Sequence, residues 1–165
     1  MLEPSRVRFF DIRDATADDT QTLIGLIRAL ARDEKLEHEV VATPELLAQA
    51  LFGTDRKAFA LICEAGGKAV GFSICFHTFS TFLGRPGIYI EDLYVEPEYR
   101  GRGIGKAIFR YLAKRALAGN CGRIEWNVLK WNESAIRFYA SLGAVPMDEW
   151  QTQRITGSAL HALAA

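Results

Sequence analysis

Hydrophobic residues recur at helical spacing in the first third of the chain. One apolar face is formed by Leu23, Ile27 and Leu30. Thr16 can cap a helix N-terminus ahead of this face, and two aspartates follow it where the helix dipole favours negative charge. We predict a helix from Thr16 to about Arg32. A second helix is predicted from the Thr-Pro-Glu triplet at 43–45 to about Gly53, since proline suits the first helical turn. The stretch from Val7 to Ile12 predicts a strand before both.

The middle of the chain changes to short apolar runs separated by glycine-rich turns. The run from Phe59 to Glu64, the Gly66-Gly67 pair and the run from Val70 to Phe76 are typical of a β-hairpin. A second turn, from Leu83 to Gly87, leads into a strand from Ile88 to Val95. This region therefore predicts an antiparallel meander.

The last third returns to alternating helices and strands. The predicted elements are a helix from Ile104 to about Leu117, a strand from Arg123 to Leu129, a helix from Asn132 to Leu142, one or two strands between Ala144 and Ile155, and a helix from Ser158 to Leu163. Helices flanking a mixed, mostly antiparallel central sheet indicate an α/β (α+β) fold. No repeat or linker interrupts the chain, so a single domain over residues 1–165 is expected.

Composition narrows the classes of partner. Lysine and arginine number 20, as do aspartate and glutamate, and this zero net charge argues against a nucleic-acid partner. No apolar run approaches the roughly 18–20 residues of a membrane span, and the first ten residues do not resemble a signal peptide. We expect a cytoplasmic protein without a membrane partner. Cys63, Cys75 and Cys121 lack metal-ligand spacing, so no metal is expected.

The stretch from Glu91 to Gly105 carries the clearest chemical signal. A strand is broken by Pro97, and the sequence Arg100-Gly-Arg-Gly-Ile-Gly105 then stands directly before a helix. Uncovered backbone N–H groups and the positive helix end together make a cradle for an anion. A Rossmann loop requires GxGxxG and a Walker loop requires GK[ST], whereas the spacing here is GxGxG and the lysine after Gly105 is followed by alanine. Both of those loops are excluded.

The glycine-rich stretch resembles the pyrophosphate loop of the Gcn5-related N-acetyltransferases (GNAT), in which R/Q-x-x-G-x-G/A follows a strand ending in V-x-P. Arg100, Gly103 and Gly105 fill that pattern. Four stretches are similar to the spermidine/spermine (diamine) and thialysine acetyltransferase branch: Ile90 to Val95, Tyr99 to Gly105, Trp131 to Tyr139, and Leu142 to Ala144. The resemblance implies a homodimer that moves an acetyl group from acetyl-CoA directly to a primary amine of a small diamine, polyamine or lysine-like amino acid.

The resemblance also implies roles for single residues. Glu91 resembles the family's proposed base, which binds the acceptor ammonium or takes its proton, and Tyr139 resembles the acid that protonates the coenzyme sulfur. Glu91 as a structural carboxylate and Tyr139 as a packing residue remain the alternatives. Residues implied in donor binding are Leu93, Tyr94, Val95, Arg100, Gly101, Arg102, Gly103, Ile104, Gly105, Lys106, Asn132, Ser134 and Ala135. Arg102 and Lys106 as solvated side chains are a further alternative.

Carboxylates after the first helix are expected to attract a cationic acceptor. The candidates for acceptor binding are Asp33, Glu34, Glu37, Ser80, Glu91 and Asp92. A solvated charged face is the alternative for the first three. Asp92 is expected on the opposite strand face from Glu91 because side chains alternate along a strand. Two other functions stay open: a protein or peptide N-acetyltransferase, and a non-catalytic acyl-CoA sensor.

Overall fold

The computed structural model describes residues 9–165, which form two compact units, 9–127 and Val128–Ala165. The elements of the first unit are β1 (Asp11–Asp14), α1 (Thr20–Asp33), α2 (Pro44–Phe52), β2 (Phe59–Ala65), β3 (Lys68–Ser80), β4 (Arg85–Val95), α3 (Ile104–Ala118) and β5 (Ile124–Trp126). Short 3-10 turns occupy Ala17–Asp19, Glu37–Glu39 and Pro97–Tyr99. The second unit holds α4 (Glu133–Ser141) and α5 (Gly157–Ala164). The expectation of one domain over residues 1–165 stays a prediction.

Local start signals account for the first elements. Part of the strand predicted from Val7 to Ile12 lies outside the described residues, and β1 spans Asp11–Asp14. The Asp19 carboxylate accepts a hydrogen bond from the Thr16 backbone N–H at 2.7 Å, which closes the turn ahead of α1. The Thr43 hydroxyl accepts one from the Leu46 N–H at 3.3 Å and caps α2. Both predicted helices are therefore confirmed.

The five strands form one sheet in the order β1-β2-β3-β4-β5. The first four pair antiparallel, and β5 joins β4 in parallel. The predicted fold class, a mixed and mostly antiparallel sheet flanked by helices, is confirmed. β5 is shorter than the predicted strand from Arg123 to Leu129, and it pairs with β4 only at Ile88–Ile90.

Two apolar clusters cover the two faces of the sheet. α3 packs on one face through residues such as Ile108 and Leu112, while α1 and α2 cover the other with Leu23 and Leu51. Leu61 and Ile62 are neighbours in β2, both fully buried, and they belong to opposite clusters. This double burial explains why residues 59–63 of β2 are a continuous apolar run without polar alternation.

The second unit differs from the prediction between its two helices, whereas α5 confirms the helix predicted from Ser158 to Leu163. The Asn132 side chain accepts a hydrogen bond from the Ala135 N–H at 3.1 Å and caps α4, as predicted. Within Val128–Ala165 no strand forms, so the strands predicted between Ala144 and Ile155 are wrong. Apolar residues alone do not make a strand, because a strand needs another edge that supplies backbone partners.

No helix within residues 9–165 is long and apolar enough to cross a membrane.

Candidate functional site

A β-bulge interrupts β4 at Glu91. Ile74 of β3 faces Asp92 and its neighbour Cys75 faces Ile90, which leaves Glu91 without a partner residue on β3. The bulge also resets the alternation of side chains, since Ile90 and Leu93 lie three residues apart and both pack in the cluster on the α3 face. The simple alternation that placed Glu91 and Asp92 on opposite faces therefore does not apply here. Bulges of this kind commonly lie beside functional sites, where they redirect a side chain.

Beyond the bulge, one edge of β4 is open. β3 pairs with β4 as far as Val95, whereas β5 pairs with it only at Ile88–Ile90. Among residues 9–127, no strand pairs with that other edge from Glu91 to Val95. An extended ligand that carries amide groups can add to such an edge by main-chain hydrogen bonds. The residues implied in donor binding, Leu93 to Val95, lie on this part of the strand.

Asp92 lies among carboxylates and is mostly shielded from solvent. Its partner Ile74 and Tyr94, two residues further along β4, belong to the cluster beneath α1, so Asp92 lies on the face of the sheet that α1 covers. Burial, as the largest cause, and then the negative charges of Glu91 and Glu34 together raise the pKa of Asp92 to about 6. Glu91 itself is exposed. The structure thus brings three of the predicted acceptor residues close enough to interact through their charges.

The C-terminal end of α1 supplies two carboxylates with different partners. Burial, and then the charge of Asp33, raise the pKa of Glu34. Asp33, the last residue of α1, instead pairs with Arg100. The predicted acidic segment is therefore divided, with Glu34 toward Asp92 and Asp33 toward the glycine-rich loop.

Glu37 and Ser80 lie in other local arrangements. Glu37 is exposed and forms an ion pair of 3.1 Å with Arg32. Ser80 is buried at the end of β3, where its hydroxyl accepts a hydrogen bond of 3.2 Å from the Leu83 N–H in the hairpin turn. Ser80 thus has a structural function in this turn, and its predicted contact with an acceptor stays a prediction.

The glycine-rich loop has the backbone form that the motif predicts. Gly101 and Gly103 have φ angles of +74° and +86°, a region that favours glycine, and a Cβ at either position would meet no atom within 4 Å. Gly103 directly precedes α3, a helix of 15 residues whose first N–H groups lack intrahelical acceptors. Open space, bare backbone and the positive end of a helix together suit a pyrophosphate.

The cationic side chains around the loop are held in different ways. The Arg100 Nε donates a hydrogen bond of 2.7 Å to the Val95 carbonyl, and its guanidinium lies 5.4 Å from the Tyr94 ring centre. The guanidinium of Arg102 lies 5.5 Å from the ring centre of Tyr99. Lys106, in the first turn of α3, is exposed. Arg102 and Lys106 are both exposed, so an anion at the loop is accessible to either side chain.

The remaining predicted residues belong to the second unit. Asn132 caps α4, Ser134 is exposed, and Ala135 is half-buried in the first turn of the helix. Tyr139 is half-buried about two turns after Asn132, with its ring centre 5.4 Å from that of Phe138. The roles implied for these four residues stay predictions.

Two features of the site were not predicted from the sequence. The Asp33–Arg100 pair joins residues 67 positions apart in the chain, and nothing in either segment indicates the other. Gly71 in β3 faces β4 so closely that a Cβ there would lie 2.8 Å from the Tyr94 carbonyl oxygen. A glycine inside a strand is a signal for such an approach, and it could have identified this position.

Comparisons with known proteins agree with this geometry. The family pattern described as "Acetyltransferase (GNAT) family" matches residues 24–144. Thialysine N-epsilon-acetyltransferase of Bos taurus is 37% identical over 94% of this chain and 98% of its own length. L-ornithine N5-acetyltransferase NATA1 of Arabidopsis thaliana is 31% identical over 97% of this chain and 90% of its own length.

The structural comparison gives the same result. An integron cassette protein from the mobile metagenome of V. cholerae superposes with a TM-score of 0.79 at 27% identity, and the match covers 94% of this chain and 98% of that one. The resemblance seen in the loop and in α4 is thereby confirmed over most of the chain. This protein is an acetyltransferase and belongs to the GNAT family.

Proposed function

We propose that the protein transfers the acetyl group of acetyl-CoA directly to a primary amine of a small cationic acceptor, a diamine, a polyamine or a lysine-like amino acid such as thialysine. The observation that carries this proposal is the bulge that places Glu91 and Asp92 at the start of the open edge of β4, where Glu34 adds further negative charge. A cationic amine lowers the electrostatic cost of holding these charges together. The relatives named for thialysine and ornithine acetylation support the same acceptor class.

The donor side fits acetyl-CoA, which supplies an acetyl thioester when bound. Gly101 and Gly103 leave the space at the start of α3 open, so the helix N–H groups can bind the pyrophosphate. Arg102 and Lys106 add positive charge there. The backbone of Leu93 to Val95 can pair with the amides of the pantetheine arm. We assign Asn132, Ser134 and Ala135 to the same ligand on the resemblance of α4.

Acceptor activation requires loss of a proton. An alkyl ammonium has a pKa of about 10.4, so it arrives charged at neutral pH. Glu91 and Asp92 would bind it and take the proton, directly or through water. The raised pKa of Asp92, about 6, brings this carboxyl closer in basicity to the amine than an ordinary aspartate, and this favours proton transfer.

Tyr139 is proposed as the proton donor to the departing sulfur. Phenols and thiols have ordinary pKa values of about 10 and 8.5, so a tyrosine hydroxyl within hydrogen-bond distance of a thiolate can protonate it. The position of this residue on α4, seven residues after the Asn132 cap, supports the assignment because both lie on the same helix face.

We also propose a cytoplasmic homodimer that uses no metal. In support of an interface, apolar side chains of the second unit are largely solvent-exposed, with Val145 at 77% and Trp150 at 74%. Sedimentation equilibrium would test this, and a single species with the mass of one chain across the micromolar range would contradict it.

An acceptor screen tests the proposed reaction. The protein would be incubated with acetyl-CoA and diamines, polyamines, lysine analogues or peptides, and thiol release would be followed. We expect kcat/KM to be highest for a small dicationic or lysine-like amine. Peptides as the best acceptors would favour a protein N-acetyltransferase. Tight acetyl-CoA binding without thiol release for any amine would identify an acyl-CoA sensor.

A further inference from the structure

The ion pair between Asp33 and Arg100 joins the two functional regions of the first unit. Asp33 is the last residue of α1, and Arg100 stands between the end of β4 and the glycine-rich loop. The same guanidinium donates to the Val95 carbonyl at 2.7 Å and lies over the Tyr94 ring. Three contacts on one planar group define its orientation far better than a single ion pair does.

The position of Asp33 is locally unfavourable. A carboxylate in the last turn of a helix meets the negative end of the helix dipole, and Glu34 directly follows. The Arg100 charge offsets this cost for Asp33. Where a sequence departs from a local rule and a distant residue compensates for it, the position often has a function.

The next residue connects this pair to the acceptor carboxylates. Glu34 is the C-cap residue of α1 and contributes negative charge at Asp92. α1 packs over the part of the sheet that contains Tyr94. Any movement of the α1 end relative to β4 therefore changes the separation of the Glu34 and Asp92 carboxylates.

We infer that Asp33 is a positioning residue: its pair with Arg100 holds the C-terminal end of α1 at the junction of β4 and the loop, and so sets Glu34 against Asp92. Asp33 then does not bind the acceptor itself. This role rests on the proposed acceptor function of Glu34 and Asp92 for its catalytic consequence. Its structural part, the spacing of two carboxylates, exists in the protein without any ligand.

The test is a carboxyl NMR titration of Asp92 in the ligand-free protein, with its resonance assigned by its loss in Asp92→Asn. In the parent we expect a midpoint of about 6. In Asp33→Asn the midpoint should move toward the ordinary value of 3.8, because Glu34 is released. Asp33→Glu retains the charge and should stay near the parent. Glu39→Gln removes one charge from the same segment, where Glu39 pairs with His38, and serves as the matched control.

Arg100→Gln separates positioning from simple charge. Loss of a positive charge alone would raise the Asp92 midpoint, whereas release of the α1 end should lower it, as in Asp33→Asn. Shifts of opposite sign in these two variants, or no shift in Asp33→Asn, would overturn the inference. The amine KM should also rise several-fold in Asp33→Asn, and a higher KM with an unmoved midpoint would make Asp33 an acceptor ligand instead. If the parent acetylates no small amine, the proposed function fails while the titration still decides the role of Asp33.

Discussion

The two halves of β4 show how one strand serves two purposes. Residues 85–90 pair with β3 and, over Ile88–Ile90, with β5, and both Ile88 and Ile90 are buried in the core on the α3 face. Residues 91–95 begin with the bulge, keep one open edge and include a shielded carboxylate with a raised pKa. The backbone pairing and the burial of the first half stabilise the fold. The second half keeps unpaired backbone and clustered negative charge, which cost stability in the free protein and suit ligand binding.

Asp92→Asn should have the largest effect, lowering activity while raising the stability of the fold. We expect kcat/KM for the amine to fall by roughly 10²–10⁴, the usual effect of losing an acid or base group. The free energy of unfolding at pH 8 should rise, by up to about 2–3 kcal/mol, because a buried charge is removed.

The pH dependence gives this prediction its sign. The pKa of Asp92 is about 6 in the folded protein against 3.8 ordinarily, so the folded state binds the proton more tightly. The parent therefore loses stability as the pH rises from about 4 to 6, and the penalty is complete above that range. Urea unfolding at pH 8 and pH 4 measures the free energy of unfolding with the full penalty and with most of it removed. Equal stabilisation by Asp92→Asn at the two pH values would contradict the assigned cause.

Ile88→Ala should act on the first half in the opposite way. Ile88 is fully buried, and its truncation leaves a cavity beneath α3, so the free energy of unfolding should fall by about 2–5 kcal/mol. The kcat of the protein that remains folded should stay near that of the parent, because no group of the second half changes. Denaturant unfolding and kinetics at low temperature measure the two effects. A kcat reduced as much as in Asp92→Asn would show that the halves are not separable.

Gly71→Ala tests the close contact between β3 and the second half of β4. The added methyl would lie 2.8 Å from the Tyr94 carbonyl oxygen, so β4 must shift, and we expect a loss of about 1–3 kcal/mol together with a higher KM for acetyl-CoA. Gly25→Ala is the control, since Gly25 lies in α1 with no atom within 4 Å of an added Cβ. This change should stabilise the helix by about 0.5–1 kcal/mol. An unchanged free energy of unfolding in Gly71→Ala would contradict this prediction, because it would mean that β3 and β4 can move apart with no loss of stability.

Tyr94→Phe should have the smallest effect. The Tyr94 hydroxyl donates a hydrogen bond of 3.3 Å to the Glu96 carboxylate, and its loss should cost no more than about 1 kcal/mol. The ring remains beneath Arg100, and the open edge of β4 is backbone, so the affinity for acetyl-CoA should not change. Isothermal titration calorimetry measures that affinity. A clear loss of binding would assign the donor contact to the side chain.

Prediction from the sequence was most accurate where the determining interactions are local. The caps at Thr43 and Asn132, the Gly66-Gly67 turn and the glycines before α3 each act within a few residues, and the structure confirms them. The strands predicted between Ala144 and Ile155 failed because a strand also depends on a distant partner edge.

The site divides along the same line. The sequence by itself determined the form of the glycine-rich loop, because glycine spacing, a strand end and a following helix are encoded in consecutive residues. It also placed Glu91 and Asp92 at the strand that leads into that loop. Only the tertiary structure decided that β4 bulges at Glu91, that Glu34 approaches Asp92 and that Asp33 pairs with Arg100. The physical reason is that strand register, burial and charge proximity arise between segments far apart in the chain, so no local pattern specifies them.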